Sequence, residues 1–159
     1  MPDRFPGDSL EEETMGNNHS PRWAFMQRLD IPDTNDPSRV YLRRRRIIQT
    51  PWFGILWHHI FLRDSDRDPH DHPWPFASFV VRGGYSEKIY PAPWSTLDYC
   101  LTRHWKRFSW HIVDTKAAHQ VTDVSQNTIT LVLTGRRSRE WGFWTSSGFV
   151  QWRSYRQSS

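Results

Sequence analysis

Between residues 40 and 155 no stretch of any length keeps a helical spacing of apolar residues. Turn residues instead recur about every eight to twelve positions. That rhythm confines the chain to an all-β sandwich or barrel built from short strands. Strands are expected over residues 40–49, 53–62, 76–82, 99–103 and 106–110, with residues 111–118 as a connection. Residues 128–133, Thr-Ile-Thr-Leu-Val-Leu, alternate little and are β-branched, as in a strand covered on both sides. Residues 141–144 and 149–152 are expected to finish the chain as strands or edge covering. The 159 residues suffice for one domain with a core, and ten Trp supply large rings to fill it.

The ends and the charge divide the chain further. Residues 1–19 are Pro-, Gly- and Asn-containing and carry Glu11-Glu12-Glu13, so they are expected to form a flexible acidic tail. Residues 20–38 are expected to be a short helix and loop, with Ser20 as N-cap, Pro21 at the first helical position, and Trp23, Phe25, Met26 and Leu29 as its apolar side. Residues 39–155 make up the barrel. Residues 1–38 carry three Arg against eight Asp or Glu, and residues 39–159 carry 18 Lys or Arg against nine acids. A basic barrel favours anionic ligands. No apolar run is long enough to span a bilayer, so no membrane partner is expected. No secretion signal is evident, and the single cysteine, Cys100, excludes an intrachain disulfide; both suit a cytoplasmic protein.

The residues that carry chemistry are histidines and arginines. In His70-Asp71-His72 the rings stand at i and i+2, which on a strand places them on one face and lets both aim at one metal. Asp71 between them should point away and brace the loop. A third ring, His119, follows much later, and His58 sits in the strand of Trp57-His58-His59. Gly83-Gly84 is expected to be a two-residue hairpin turn. That turn would pair Arg82 with Tyr85, Val81 with Ser86 and Val80 with Glu87. If His72 points inward, the same parity turns Glu87 inward and offers the site a carboxylate. His104 and His111 lack a partner at strand spacing and are the weaker ligand candidates. Arg43 to Arg46 lie in one strand, with Arg44 and Arg46 on one face. Arg44, Arg46, Arg82 and Arg103 are the candidates for contacting an anionic ligand.

This order of motifs resembles the cupin superfamily, whose first motif contains His-x-His and a later Gly, and whose second centres on one His. Here His70 and His72 match the pair, Gly83 the closing glycine and His119 the later histidine. The first-motif Glu falls on Phe76, and the second-motif Asn on Asp123. The strings Thr50-Pro51-Trp52-Phe53-Gly54, Arg82-Gly83-Gly84-Tyr85 and Glu140-Trp141-Gly142-Phe143-Trp144 look like those of small, uncharacterised cupin-like proteins of phages and bacteria.

The resemblance implies a cupin-type double-stranded β-helix, a jelly-roll barrel, here with a short N-terminal helix. It also implies a divalent transition metal (iron, zinc, nickel or manganese) on His70, His72 and His119, with Glu87 and His58 as further candidate ligands. Three His ligands leave room for a small molecule, which suits a non-haem metal-dependent oxygenase. The alternatives are a non-catalytic barrel that binds an anionic small molecule or nucleotide, and a phage structural or accessory protein. Nucleic acid is the lesser expectation for the basic strand, and a homodimer is compatible with the chain.

Overall fold

A computed structural model describes residues 23–64, 68–91 and 99–157. Eleven strands and one helix account for most of them: β1 (Ala24–Pro32), β2 (Val40–Gln49), β3 (Gly54–Ile60), β4 (Phe76–Arg82), β5 (Gly84–Tyr90), β6 (Leu101–Lys106), β7 (Trp110–Val113), β8 (Ala118–Val124), β9 (Thr128–Thr134), β10 (Gly142–Thr145), β11 (Gly148–Gln151) and α1 (Trp152–Gln157). The larger sheet has the order β1-β2-β3-β9-β4-β7, with every neighbouring pair antiparallel. Facing it are the three-stranded sheet β6-β5-β8 and the hairpin β10-β11. His70 joins these last two, because it bridges His119 of β8 on one side and Phe143 of β10 on the other. The result is an all-β, cupin-like jelly roll.

Alternation along each strand sorts the side chains. Leu42, Leu56, Val80 and Val132 of the larger sheet are buried, as are Tyr85 and Val121 opposite. This interior is unusually polar, since Ser78, Glu87, His111, His119, Thr128 and Thr130 are buried with them. A second core lies under α1. There Phe143 stacks on Tyr155 with centroids 3.9 Å apart, and Trp141 stacks on Trp152 at 5.7 Å.

Besides the bounds around β7 (residues 106–110 span the turn between β6 and β7 instead of forming a strand), two sequence expectations are corrected by the fold. Residues 24–32 form a strand, not the apolar side of a short N-terminal helix; Ser20, Pro21 and the acidic tail lie outside the described residues. Gln27, Leu29 and Ile31 pair with Arg46, Arg44 and Leu42, while Arg28 and Asp30 pair with Arg45 and Arg43. The ten-residue strand β2 would otherwise leave one edge of N–H and C=O groups unpaired. A nine-residue ladder satisfies that edge, whereas an isolated helix of this length is marginal. Met26 stands at φ 49° within the strand, although the register on β2 is unchanged from Phe25 to Gln27.

The second correction concerns Gly83-Gly84, which is not a hairpin turn. β4 pairs with β7 and β9, and β5 with β6 and β8, so the chain passes here from one sheet to the other. Arg82 pairs with Ile129 and Val80 with Thr130, while Tyr85 pairs with Trp105 and Val124, so none of the three expected hairpin pairs forms. Gly83 makes this corner at φ 70°, where a Cβ would stand 2.6 Å from Thr128 Oγ1. The Thr128 hydroxyl is bonded to Gly84 O at 2.8 Å and so closes the corner.

Candidate metal centre

His70 enters the barrel wall by exchanging both backbone hydrogen bonds with His119, at 3.0 and 2.8 Å. That narrow antiparallel pairing brings the two rings to a centroid distance of 4.8 Å. His72, two residues on, comes within 4.9 Å of His119 by the same measure. One nitrogen from each of His70, His72 and His119 lies within 4.8 Å of the others, the group of this kind found among the described residues. His72 Nε2 and His119 Nε2 are 2.8 Å apart.

Asp71 holds this loop in place. It is fully buried and accepts hydrogen bonds from Gly142 N at 2.9 Å and Trp144 Nε1 at 3.1 Å. Arg139 Nη2 lies 2.9 Å from Oδ2, the oxygen that also accepts from Trp144. Its side chain points away from the histidines, as alternation requires, and ties their loop to β10.

Glu87 is also fully buried, on β5. Its Oε2 lies 2.8 Å from His119 Nδ1, and its Oε1 accepts from Trp105 Nε1 at 2.5 Å and lies 3.5 Å from His111 Nε2. Both oxygens are thus engaged by the ring behind the cluster and its neighbours. Asp64 stands behind His70, with Oδ2 3.9 Å from His70 Nδ1 and 2.6 Å from Val121 N; Tyr41 OH donates to its other oxygen.

The electrostatics separate the three histidines. Burial lowers His70 to about 4, although Asp64 opposes it. Burial and then His119 hold His72 well below the ordinary imidazole value. Burial also presses His119 down, but its hydrogen bond to Glu87 and that carboxylate's charge outweigh burial and raise it. Glu87 moves the opposite way: burial raises it, and the contact with His119 more than offsets this, so it stays ionised. In the metal-free cluster burial thus favours the neutral forms of His70 and His72, while His119, bonded through Nδ1 to Glu87, holds its proton more tightly than an ordinary imidazole.

This donor set fits a divalent transition metal. Three imidazole nitrogens converge, the first two rings are neutral, and Glu87 on Nδ1 leaves Nε2 of His119 turned to the shared point. No carboxylate belongs to the cluster.

The remaining candidates sit elsewhere. His58 Nε2 accepts from Arg44 Nε at 3.0 Å, both on the inner face of the larger sheet. Arg46 Nη1 donates to Gln27 Oε1 at 2.9 Å. Arg82 and Arg103 are exposed and are not brought to the cluster. His104 is exposed and contacts Ser86 Oγ. His111 belongs to β7, not to a connection, and packs flat on Trp105 with centroids 4.1 Å apart. Its place beside Glu87 was not read from the sequence, although the alternation Trp110 out, His111 in, Ile112 out, Val113 in marks it as an inward strand residue. A surface cleft of about 590 Å³, lined by Asp33, Arg39, Arg63 and Gln120 among others, shares Asp64 and Val121 with the back of the cluster but contains none of its histidines.

No protein-family model and no curated protein matches the chain. Solved structures do match its fold, and they are cupin-fold proteins. HEPD of Streptomyces albus, with 2-hydroxyethylphosphonate and Fe(II) bound, superposes with a TM-score of 0.54 and 12% identity over 70% of this chain and 24% of its own. An Fe(II) form of HppE gives 0.51 and 14% over 69% of this chain and 55% of its own. A putative mannose-6-phosphate isomerase of Ralstonia eutropha gives 0.51 and 13% over 60% of this chain and 84% of its own. The chain thus spans about a quarter of the HEPD chain and about half of HppE. These likenesses show a cupin-type barrel fold. Among the described residues no helix is long and apolar enough to cross a membrane.

Proposed function

We propose that this chain is a metal-dependent cupin that holds one divalent transition metal on His70, His72 and His119 and acts on a small anionic molecule. The observation that carries the reading is the convergence of the three nitrogens within 4.8 Å, with Glu87 on the far nitrogen of His119. Glu87 then acts as an orienting acceptor instead of a ligand, because both its oxygens are already engaged. His58, turned to Arg44, also lies outside the ligand set. A bound Fe(II) would supply dioxygen chemistry, and zinc or nickel would supply Lewis acidity.

The protein's own contribution is positional. The backbone pair of His70 with His119 sets two rings at once, and Asp71 fixes the loop that carries the third. Two of the structural neighbours, HEPD and HppE, hold Fe(II), and HEPD binds a phosphonate, which supports an oxygenase acting on a small anion. The test is anaerobic loading of untagged protein with Fe(II) and measurement of oxygen uptake with candidate hydroxy-acids and hydroxyalkyl phosphonates. Oxygen uptake that needs both Fe(II) and one of these anions supports the oxygenase. Fe(II) binding with no uptake for any of them leaves the binding barrel as the function.

A further inference from the structure

The larger sheet has two faces, and the smaller sheet covers the inner one. Directly opposed residues of neighbouring strands point to the same side. On the outer side the register lines up Phe25, Ile48, Ile55, Leu133, Ala77 and Ile112, one residue from each strand of the sheet. A second row, two residues further along β3, holds Arg28, Arg45, Trp57, Leu131, Phe79 and Trp110. Between these rows β2 is bulged from Arg46 to Ile48, and Met26 stands opposite at a left-handed φ. That irregularity keeps both rows on one side. Their neighbours Leu56, Ser78, His111 and Val132 point inward and are buried.

An antiparallel sheet with one solvated face ordinarily alternates apolar-in and polar-out. Here β3, β9, β4 and β7 carry apolar residues on both faces. Phe25 is 77% exposed, Ile112 68%, Trp110 65% and Leu133 50%. Phe79 stacks on the exposed Phe108 with centroids 6.4 Å apart and extends the surface past the end of β4. Among the described residues no strand or helix packs over this face. Strands ~4.8 Å apart, each contributing about 20 Å of length, give roughly 600 Å² per copy. Two such faces together reach about 1,200 Å², the lower end of specific protein interfaces. A continuous apolar patch of that size is large for an isolated chain.

The charges on the face point to its occupant. They lie at one end, on β1 and β2: Arg28, bonded to Asp30, and Arg45, which has no acidic partner among the described residues. The other end, β4 and β7, carries Phe79 and Trp110. A two-fold axis parallel to the strands, passing between β3 and β9, lays β1 and β2 of one copy over β7 and β4 of the other. Arg45 then lies over Phe79 and Arg28 over Trp110, so the guanidiniums meet aromatic rings instead of each other. In the other row Phe25 meets Ile112, and Ile55 meets Leu133. The two halves of the face complement each other, as a two-fold contact requires. An acidic partner would match the arginine end alone.

We infer that the outer face of the larger sheet is the contact surface of a homodimer, in which two copies pack face to face about a two-fold axis between β3 and β9. The proposal does not depend on the metal reading.

The test is sedimentation velocity of the full chain over loading concentrations of about 1 to 100 µM, where an interface of this size is expected to hold a dimer. Leu133→Glu and Ile112→Glu each place a charge inside the contact and should raise the dimer dissociation constant roughly 100-fold or more. Both side chains are exposed in the single chain, so the circular dichroism spectrum should not change. Arg45→Ala should raise the constant by about 3- to 10-fold. Tyr99→Glu, at an exposed residue outside this sheet, should leave it unchanged. Leu133→Ser and Ile112→Ser replace the Glu variants if those do not fold. Wild type that stays monomeric throughout overturns the proposal, and so does monomeric wild type that binds phosphatidylcholine vesicles through this face. A dimer as tight in Leu133→Glu and Ile112→Glu as in wild type is held by another surface and overturns it too. An assembly that keeps growing with concentration contradicts the two-fold contact.

Discussion

Glu87 Oε2 lies 2.8 Å from Nδ1 of His119, and this contact crosses from β5 to the neighbouring strand β8 in the barrel interior. It sets which nitrogen of His119 faces the cluster and gives the proton on that ring a fixed acceptor. Replacing Glu87 with Gln keeps the shape and removes the charge. Metal affinity is expected to fall about tenfold or more, with the fold intact. Glu87→Ala should also lower stability by about 1–3 kcal/mol, because Trp105 Nε1 and His119 lose a buried acceptor. Metal titration and urea unfolding of the two variants distinguish these effects.

A second expectation concerns the loop that carries His70 and His72. Asp71 is the acceptor for Gly142 N and Trp144 Nε1 and the counter-charge to Arg139. Asp71→Ala leaves two donors and a partly buried cation without a partner. The expected loss is about 2–4 kcal/mol of stability, together with weakened metal binding, although Asp71 touches no metal. Equal denaturation midpoints for Asp71→Ala and wild type would show that the loop is held by other contacts.

The pH dependence follows from the opposite shifts of the histidines. His70, lowered to about 4, and His72, held well below its ordinary value by burial and His119, do not compete with a metal for protons near neutrality. His119, raised by Glu87 against burial, does. Metal affinity should therefore fall as a one-proton function as pH drops through the raised His119 value, rather than as a three-proton function. Uptake at pH 6 should release about one proton per metal, measurable as a buffer-dependent heat.

Stability of the metal-free protein follows the same signs. A raised histidine stabilises below its unfolded value of ~6.5, and that contribution is lost as pH rises through its folded value. Lowered histidines act the other way: their stability is present above ~6.5 and is lost as pH falls toward their folded values. Among the described residues His58, His59, His70, His72 and His111 are lowered, chiefly by burial, and His119 is raised. The melting temperature of metal-free protein should drop between pH 7 and pH 5. A constant or rising value over that interval would contradict the buried, neutral state of these rings.

The corner between the two sheets gives a local test. At Gly83 a side chain would need a left-handed backbone and would meet Thr128 Oγ1 at 2.6 Å and its Cα at 2.9 Å. Gly83→Ala should cost about 2 kcal/mol or more. At Gly148, where φ is also positive but nothing lies within 4 Å, the same substitution should cost only the backbone strain. Thermal melts of the two variants give the comparison.

The strands that the sequence shows most clearly are those whose neighbours do not change their pattern. Residues 128–134 do form the strand β9, between β3 and β4, but the expected covering of both faces does not hold: Thr128, Thr130 and Val132 are buried, while Leu133 on the other face is exposed. His70 and His72 do converge as their spacing implies, but not on the expected strand: His70 makes only isolated bridges, and one of these backbone pairs brings His119 beside them. Glu87 does face inward, but by a different route from the expected hairpin. Adjacent glycines suit both a tight turn and a corner between sheets, and local sequence cannot distinguish these, since the difference lies in the partners β4 and β5 find elsewhere. The same holds for β1. Trp23, Phe25, Met26 and Leu29 are spaced like a helix face, and only the unpaired edge of β2, a tertiary fact, makes them a strand. Arg44 among four consecutive arginines carries no local mark either; its pairing with His58 follows from the register of β2 on β3.

The account's central claim is a metal held by three histidines, and metal analysis of untagged protein tests it most directly. Wild-type protein should contain, or take up from added iron, zinc, nickel or manganese at neutral pH, one metal per chain. His70→Ala and His119→Ala should lose most of it, and His104→Ala should retain it. Wild-type protein that binds none of these metals, or His70→Ala and His119→Ala variants that bind as tightly as wild type, would contradict the claim.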